Sequence, residues 1–244
     1  MSRNGVRLLT LVVTLLVATG SLSAQAAAAA EKAPQLEKAK VKIALKQYDQ
    51  AVNALLKAMQ EDPKNPEIPN FLGVVFLQTG NFDAARSYFK RSIRMDKNYA
   101  RAYNNLAAIY HVRKQYKSAI KQYKNAIEKD PQFLLAYFNL ANAYFAQKKY
   151  LQAVDTMHKL VQIDPEYLMK DRGGLEIGSL DIDPAKRNFY YAKLYAQVND
   201  LEKVVYFLKL AVDNGFKDFK ELEEDPDFAP FLPDPRIQAL MSKP

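Results

Sequence analysis

The sequence predicts an all-α fold, a solenoid made by stacking antiparallel helix pairs. Three observations carry that prediction. Asp62, Asp96, Asp130 and Asp164 recur at intervals of 34 residues. Small and aromatic residues recur in the same register. Within each unit, two apolar stripes of helical period are separated by a short break.

The N-terminus reads as an address. Arg3 and Arg7 precede an apolar run over residues 8–18, and Ala24-Gln25-Ala26 follows. That order predicts a secretory signal over 1–26, cleaved after Ala26, with 27–31 as linker. The run is short for a bilayer span, which needs about 20 residues. Four alanines at 27–30 leave a retained anchor as the alternative. The expected location is exported: periplasmic or otherwise extracytoplasmic.

Four units follow over 32–167. Tyr48, Phe82, Tyr116 and Tyr150 align, as do Ala51, Ala85, Ala119 and Ala153. Leu55, Phe89, Tyr123 and Met157 form a third column. In the first half of each unit, Leu72, Leu106 and Leu140 align beside Gly73, Ala107 and Ala141. Tyr103, Leu106, Ala107 and Tyr110 lie on one helical face. A break at Lys114-Gln115 separates them from Tyr116, Ala119, Ile120, Tyr123, Ala126 and Ile127. The small residues let two helix axes approach, and the aromatics fill the space between units. Proline after Asp62, Asp130 and Asp164 closes the second helix, because the residue before proline avoids the α region. The first unit is degenerate: Lys38 and Lys42 stand in the columns of Leu72 and Phe76, as suits a polar cap.

After Pro165 the rhythm breaks. Residues 168–184 form an insertion with Gly173, Gly174 and Gly178, three of the chain's eight glycines, and are expected to be a loop. A fifth, degenerate helix pair is expected over 185–215, closed by Asn214-Gly215. The segment 216–244 carries Pro226, Pro230, Pro233 and Pro235, which forbid a long helix. Phe219, Leu222, Phe228, Phe231 and Leu240 should seat it as a cap on the last pair.

The period, the small and aromatic columns and the terminal Asp-Pro resemble the tetratricopeptide repeat. That resemblance implies a right-handed superhelix of helix pairs, a C-terminal capping segment and a concave groove lined by one flank of the first helices. The lining would be Asn70 and Phe71; Arg101, Asn104, Asn105 and His111; Phe138, Asn139, Asn142 and Phe145; and Phe189, Tyr190 and Lys193. Asn105 and Asn139 share a register position, and their amides suit an extended peptide backbone. This resembles the asparagine ladder of some peptide-binding members. The lysine-arginine-asparagine clamp for a C-terminal carboxylate is not matched, although Arg101 is present.

Composition narrows the function. Zero cysteines exclude disulfides and thiolate chemistry, and two histidines leave little for a metal site. No nucleophile elbow, zinc-protease motif or phosphate loop occurs. Gly173 to Gly178 lack the Gly-Lys-Ser/Thr ending of such a loop. Asp181 and Asp183 read as a solvated acidic loop, too few for calcium. No catalytic residue, cofactor or metal is expected. His111 reads as a groove or surface side chain, and His158 as an outer one. Arg86, Lys90 and Arg94 form a basic stripe, continued by Lys117, Lys121 and Lys124. That stripe reads as a solvated outer face, with contact to an anionic envelope surface as the sharper alternative. The net charge of +8 does not point to nucleic acid, because the leader sends the chain away from it. The expected function is a non-enzymatic exported adaptor that binds a peptide or protein segment and supports an envelope assembly. The alternative is a self-associating structural component, a homo-oligomer whose groove its own tail or another copy fills.

Overall fold

The structure is a computed structural model and describes residues 34–169 and 183–242. Among these residues there are twelve helices and no strand. They run α1 (Gln35–Ala44), α2 (Tyr48–Glu61), α3 (Glu67–Gln78), α4 (Phe82–Met95), α5 (Ala100–Val112) and α6 (Tyr116–Lys129). Then come α7 (Leu134–Ala146), α8 (Tyr150–Ile163), α9 (Pro184–Gln197), α10 (Leu201–Asp213), α11 (Phe219–Glu224) and α12 (Pro235–Met241). The fold is an α-solenoid of helix pairs. The expected signal peptide over 1–26, the expected linker over 27–31 and most of the expected insertion, Asp181 included, lie outside the described residues.

The turn inside each pair has a repeating cause. Lys46, Lys114, Lys148 and Asn199 all take a left-handed φ of 57°, and Gly80 takes 79° at the same place in its unit. One left-handed residue reverses the chain within three residues and lets the last carbonyls of the first helix be capped. A lysine there carries a cost that glycine avoids. Lys148→Gly, at an exposed turn, should therefore stabilise the protein by about 0.5–1 kcal/mol. A urea titration that moves to lower midpoint would contradict this.

The Asp column closes units by its own chemistry as well as through proline. Asp96, Asp130 and Asp164 each accept, through Oδ1, the backbone N–H two residues on, at 2.8, 3.0 and 3.1 Å. This side-chain turn works at Asp96, where Lys97 replaces proline. Asp183 also has a capping role: Oδ1 accepts from the N–H of Ala185 at 2.9 Å and starts α9. It is exposed and outside the helix, as expected of a solvated loop residue, and has this capping role besides.

The chain divides into two compact units, one up to Ile109 and one from Tyr110. The first unit packs α1 on α2 and α3 on α4. Ala51, Leu55, Ile68 and Leu72 are in its core, with Ala39 of the first helix. The degenerate first repeat is thus anchored by an alanine despite its lysines. Gly73 lies against Phe89, and a Cβ there would stand 2.5 Å from the ring.

In the second unit α6 packs on α7, α7 on α8, α8 on α9 and α9 on α10. The inserted residues do not stop α9 from docking on α8. Lys203 Nζ bridges Glu166 at 2.8 Å and Asp200 at 2.7 Å. The hydrogen bonds it donates to both carboxylates hold this ammonium well above the ordinary lysine range, outweighing its desolvation. Tyr195 Oη donates to the Pro165 carbonyl at 3.1 Å. Gly215, with φ 97°, ends α10. Two short helices follow, and Leu222, Phe228, Phe231 and Leu240 are buried. Arg236 meets both Glu202 oxygens at 3.0 Å, tying α12 to α10.

Candidate functional site

The candidate surface is the first-helix flank, and the two units treat it differently. In the first unit it is partly open. Asn70 and Asn104 are buried, whereas Phe71 and Asn105 are half-buried and Arg101 keeps 64% of its side-chain surface. Three asparagines form a chain. Asn104 Nδ2 donates to Asn105 Oδ1 at 3.3 Å, and Asn105 Nδ2 donates to Asn70 Oδ1 at 2.9 Å. These bonds join α3 to α5 and use one donor and one acceptor site of Asn105. An amide has two of each, so one of each is left.

Beside this chain runs a line of charge. Lys40 Nζ meets Glu37 at 2.9 Å and Glu67 at 3.2 Å. Glu67 also faces Arg101 at a loose 3.8 Å. Lys40 lies 5.4 Å from the centre of the Phe71 ring. Burial works against the Lys40 charge, but the two glutamates outweigh it and raise its pKa. Lys40 and Glu67 were not expected in the site. For Glu67 the register held the signal: it precedes Arg101 by 34 residues.

In the second unit the same flank is packed. His111 is buried, edge-on to Tyr116 at 5.2 Å and Tyr123 at 6.4 Å. It belongs to the interior of that unit rather than to a groove or surface, because the two tyrosine rings enclose it. Phe138 is 5% exposed and sits 6.1 Å from Tyr167. Phe145 is 3% exposed, within 6.3 Å of Tyr150, Tyr190 and Tyr191. Asn139 and Asn142 are buried among them on α7. This flank of α7 is therefore core, and Phe138 and Phe145 are corrected from groove lining to packing residues. Tilted and edge-on ring contacts with Tyr150 of α8, with Tyr167 after it and with Tyr190 and Tyr191 of α9 consume their surface.

The fifth pair is covered by the chain itself. Phe189 stacks on Phe216 at 4.6 Å and lies 5.4 Å from Phe228. Lys193 pairs with Asp225, and with Asp227 at 3.4 Å. Gln197 Nε2 donates to Asp227 Oδ2 at 2.8 Å. Tyr190 stacks on Tyr150 at 5.0 Å. Desolvation, then the charges of Glu221, Tyr150 and Asp225, push its phenol up to about 12. Phe228 was expected to seat the cap, and it does so against Phe189; that Asp225 and Asp227 would meet Lys193 has no signature in the sequence.

The outer faces of the second helices are basic. Lys90 and Arg94 of α4 are exposed, and Arg86 pairs with Asp83 at 3.3 Å. On α6, Lys117, Lys121 and Lys124 are exposed. His158 is half-buried on α8, with Nε2 3.4 Å from Gln162 Nε2.

Residues 36–172, more than half of the chain, match the family described as the Tetratricopeptide repeat protein 21 C-terminal ARM domain, and the chain belongs to this family of tetratricopeptide repeats. It is also 38% identical over 68 residues to the DnaJ homolog subfamily C member 7 homolog of Dictyostelium discoideum. That match covers 28% of this chain and only 13% of the relative's length. The fold is similar to that of pilF of Pseudomonas aeruginosa, with TM-score 0.55 and 18% identity over 77% of this chain and 78% of the other. It is similar to TTC0263, a thermophilic TPR protein of Thermus thermophilus, with TM-score 0.51 and 17% identity over 76% and 92%. MamA gives TM-score 0.50 and 20% identity over 75% and 96%. At these identities the likeness is one of fold.

Proposed function

We propose that the protein is a non-enzymatic, exported adaptor that holds a protein or peptide segment against the first-helix flank of its first unit and thereby supports an envelope assembly. The observation that carries this reading is the partly open surface of Phe71, Asn105 and Arg101. It offers an apolar ring, an amide with spare donor and acceptor capacity, and a guanidinium only loosely held by Glu67 at 3.8 Å. Those three groups match a side chain, a backbone peptide group and a carboxylate of a bound segment. Most chemistry-bearing candidates of the second unit are already spent on packing, which moves the site toward the N-terminal repeats.

Loss of the Asn105 amide should cost about 1–3 kcal/mol of binding, because peptide groups would be left unpaired. Loss of the Phe71 ring should cost about 2 kcal/mol if it anchors the segment. The test is recovery of partners from an envelope extract by the parent and by a Phe71→Ala, Arg101→Glu, Asn105→Ala variant, both checked by circular dichroism. The reading expects the variant to lose specific partners. Equal recovery by two equally folded proteins contradicts it.

A second reading rests on the covering of Phe189 and Lys193 by residues 216–228. The same contacts made between copies would give a self-associating component. Light scattering after size-exclusion chromatography over a concentration series separates the two: growth in mass with concentration favours self-association.

A further inference from the structure

We propose that the edge formed by the α5–α6 and α7–α8 turns is a docking edge for an anionic phospholipid surface. This goes beyond the adaptor reading and does not depend on it, since it uses neither the concave flank nor the outer helix faces. Both turns lie in the second unit from Tyr110 onward. Because α6 and α7 pack antiparallel and have nearly equal lengths, the start of α6 and the end of α7 share one end of the bundle. The turns on either side of them therefore lie on a single edge.

That edge combines two chemistries. The first turn presents Val112, 44% exposed, followed by exposed Arg113 and Lys114. The second presents exposed Lys148 and Lys149 and then Leu151, which at 76% is the most exposed large apolar side chain among the described residues. The turn of the first helix pair repeats the pattern with Leu45 and Lys46, both exposed. The opposite ends of these helices carry Asp130, Asp164 and Glu166 instead. The two turns thus hold four cations and no carboxylate, whereas the opposite ends mix Asp130, Asp164 and Glu166 with Lys97, Arg101 and Lys129.

Charge complementarity selects an anionic partner for this edge. The aliphatic tips select a lipid surface among anionic partners. Val112 at the end of α5 and Leu151 at the start of α8 stand singly beside the turns, each near two cations, rather than forming a continuous patch that a protein would cover. An aliphatic tip can enter the acyl boundary while its neighbouring lysines stay with the headgroups. A soluble polyanion would use the cations and leave the tips in water.

The test is sedimentation of the full chain with vesicles of phosphatidylcholine alone and with vesicles containing phosphatidylglycerol. The N-terminal apolar run is unchanged in every variant, so the difference between the two vesicle types is what is read. The proposal expects binding to rise with phosphatidylglycerol and to fall with salt. A Lys148→Glu, Lys149→Glu variant should lose roughly tenfold or more in partitioning, since each basic residue near the surface contributes to attraction. Leu151→Asp should lose roughly fivefold through the apolar tip. Lys121→Glu, Lys124→Glu on the outer face of α6 should change little. No preference for phosphatidylglycerol overturns the proposal. So does a loss confined to the α6 variant, which would make the outer face the contact. Leu151→Asp binding as the parent does also overturns it, leaving a contact of charge alone.

Discussion

Phe189→Ala is expected to lower stability by about 3–5 kcal/mol, the usual loss for emptying a buried phenylalanine site. The ring is 1% exposed and sits between Phe216 and Phe228. Its removal takes away the seat of the C-terminal segment as well as core volume. Repeat arrays need not unfold in one step, so the effect should also be regional. Amide exchange should accelerate over α11 and α12 before it does over α6 and α7. Phe189→Leu should recover part of the loss, since it restores apolar volume. A Phe189→Ala protein with the parent's urea midpoint and unchanged exchange in α11 would return Phe189 to an open groove.

Gly73→Ala is expected to destabilise by about 1–3 kcal/mol. The direction is the informative part. Alanine in a helix interior is ordinarily better than glycine by about 0.5–1 kcal/mol. Here the new methyl would stand 2.5 Å from Phe89 Cε1 and 2.6 Å from Cδ1. Phe89 is fully buried, so the ring has nowhere to go without moving α4. Adding Phe89→Leu should rescue most of the loss, because it removes the colliding ring. Thermal or urea melts of the two single variants and the double variant check this. A stabilised Gly73→Ala protein would show that the α3–α4 contact is looser than the structure has it.

These residues mark where sequence and structure agree and where they part. The helix pairs were legible because the Asp, Ala and aromatic columns share one register and their periodicity changes at each turn. The Asp column was legible as a terminator, but the reason was incomplete: the carboxylate itself closes the turn at Asp96. The left-handed lysines gave no signal, since lysine has no preference for that region and only the repeating geometry demands it. The groove was the least legible part. Periodicity tells which flank of a first helix is spare, not what covers it. Phe138 and Phe145 are taken up by neighbouring tyrosines, and Phe189 and Lys193 by residues 216–228, a contact between distant segments with no local pattern. Asn105 and Asn139 were singled out as amides in register, but Asn139 is buried on α7 and Asn105 bonds out of register with Asn70 and Asn104. Asn70, Asn104 and Asn105 meet one another, which a column read one position at a time does not reveal.

The account's central claim is that a partner segment lies on the first unit's flank beside Asn105. Site-specific photocrosslinking in cells tests it most directly, with a photoreactive amino acid at Asn105 in one protein and at Lys90, on the outer face of α4, in another. The account predicts discrete adducts from position 105 that Arg101→Glu abolishes, and none of the same mass from position 90. Adducts from position 90 alone, or the same adducts from both positions, would contradict it.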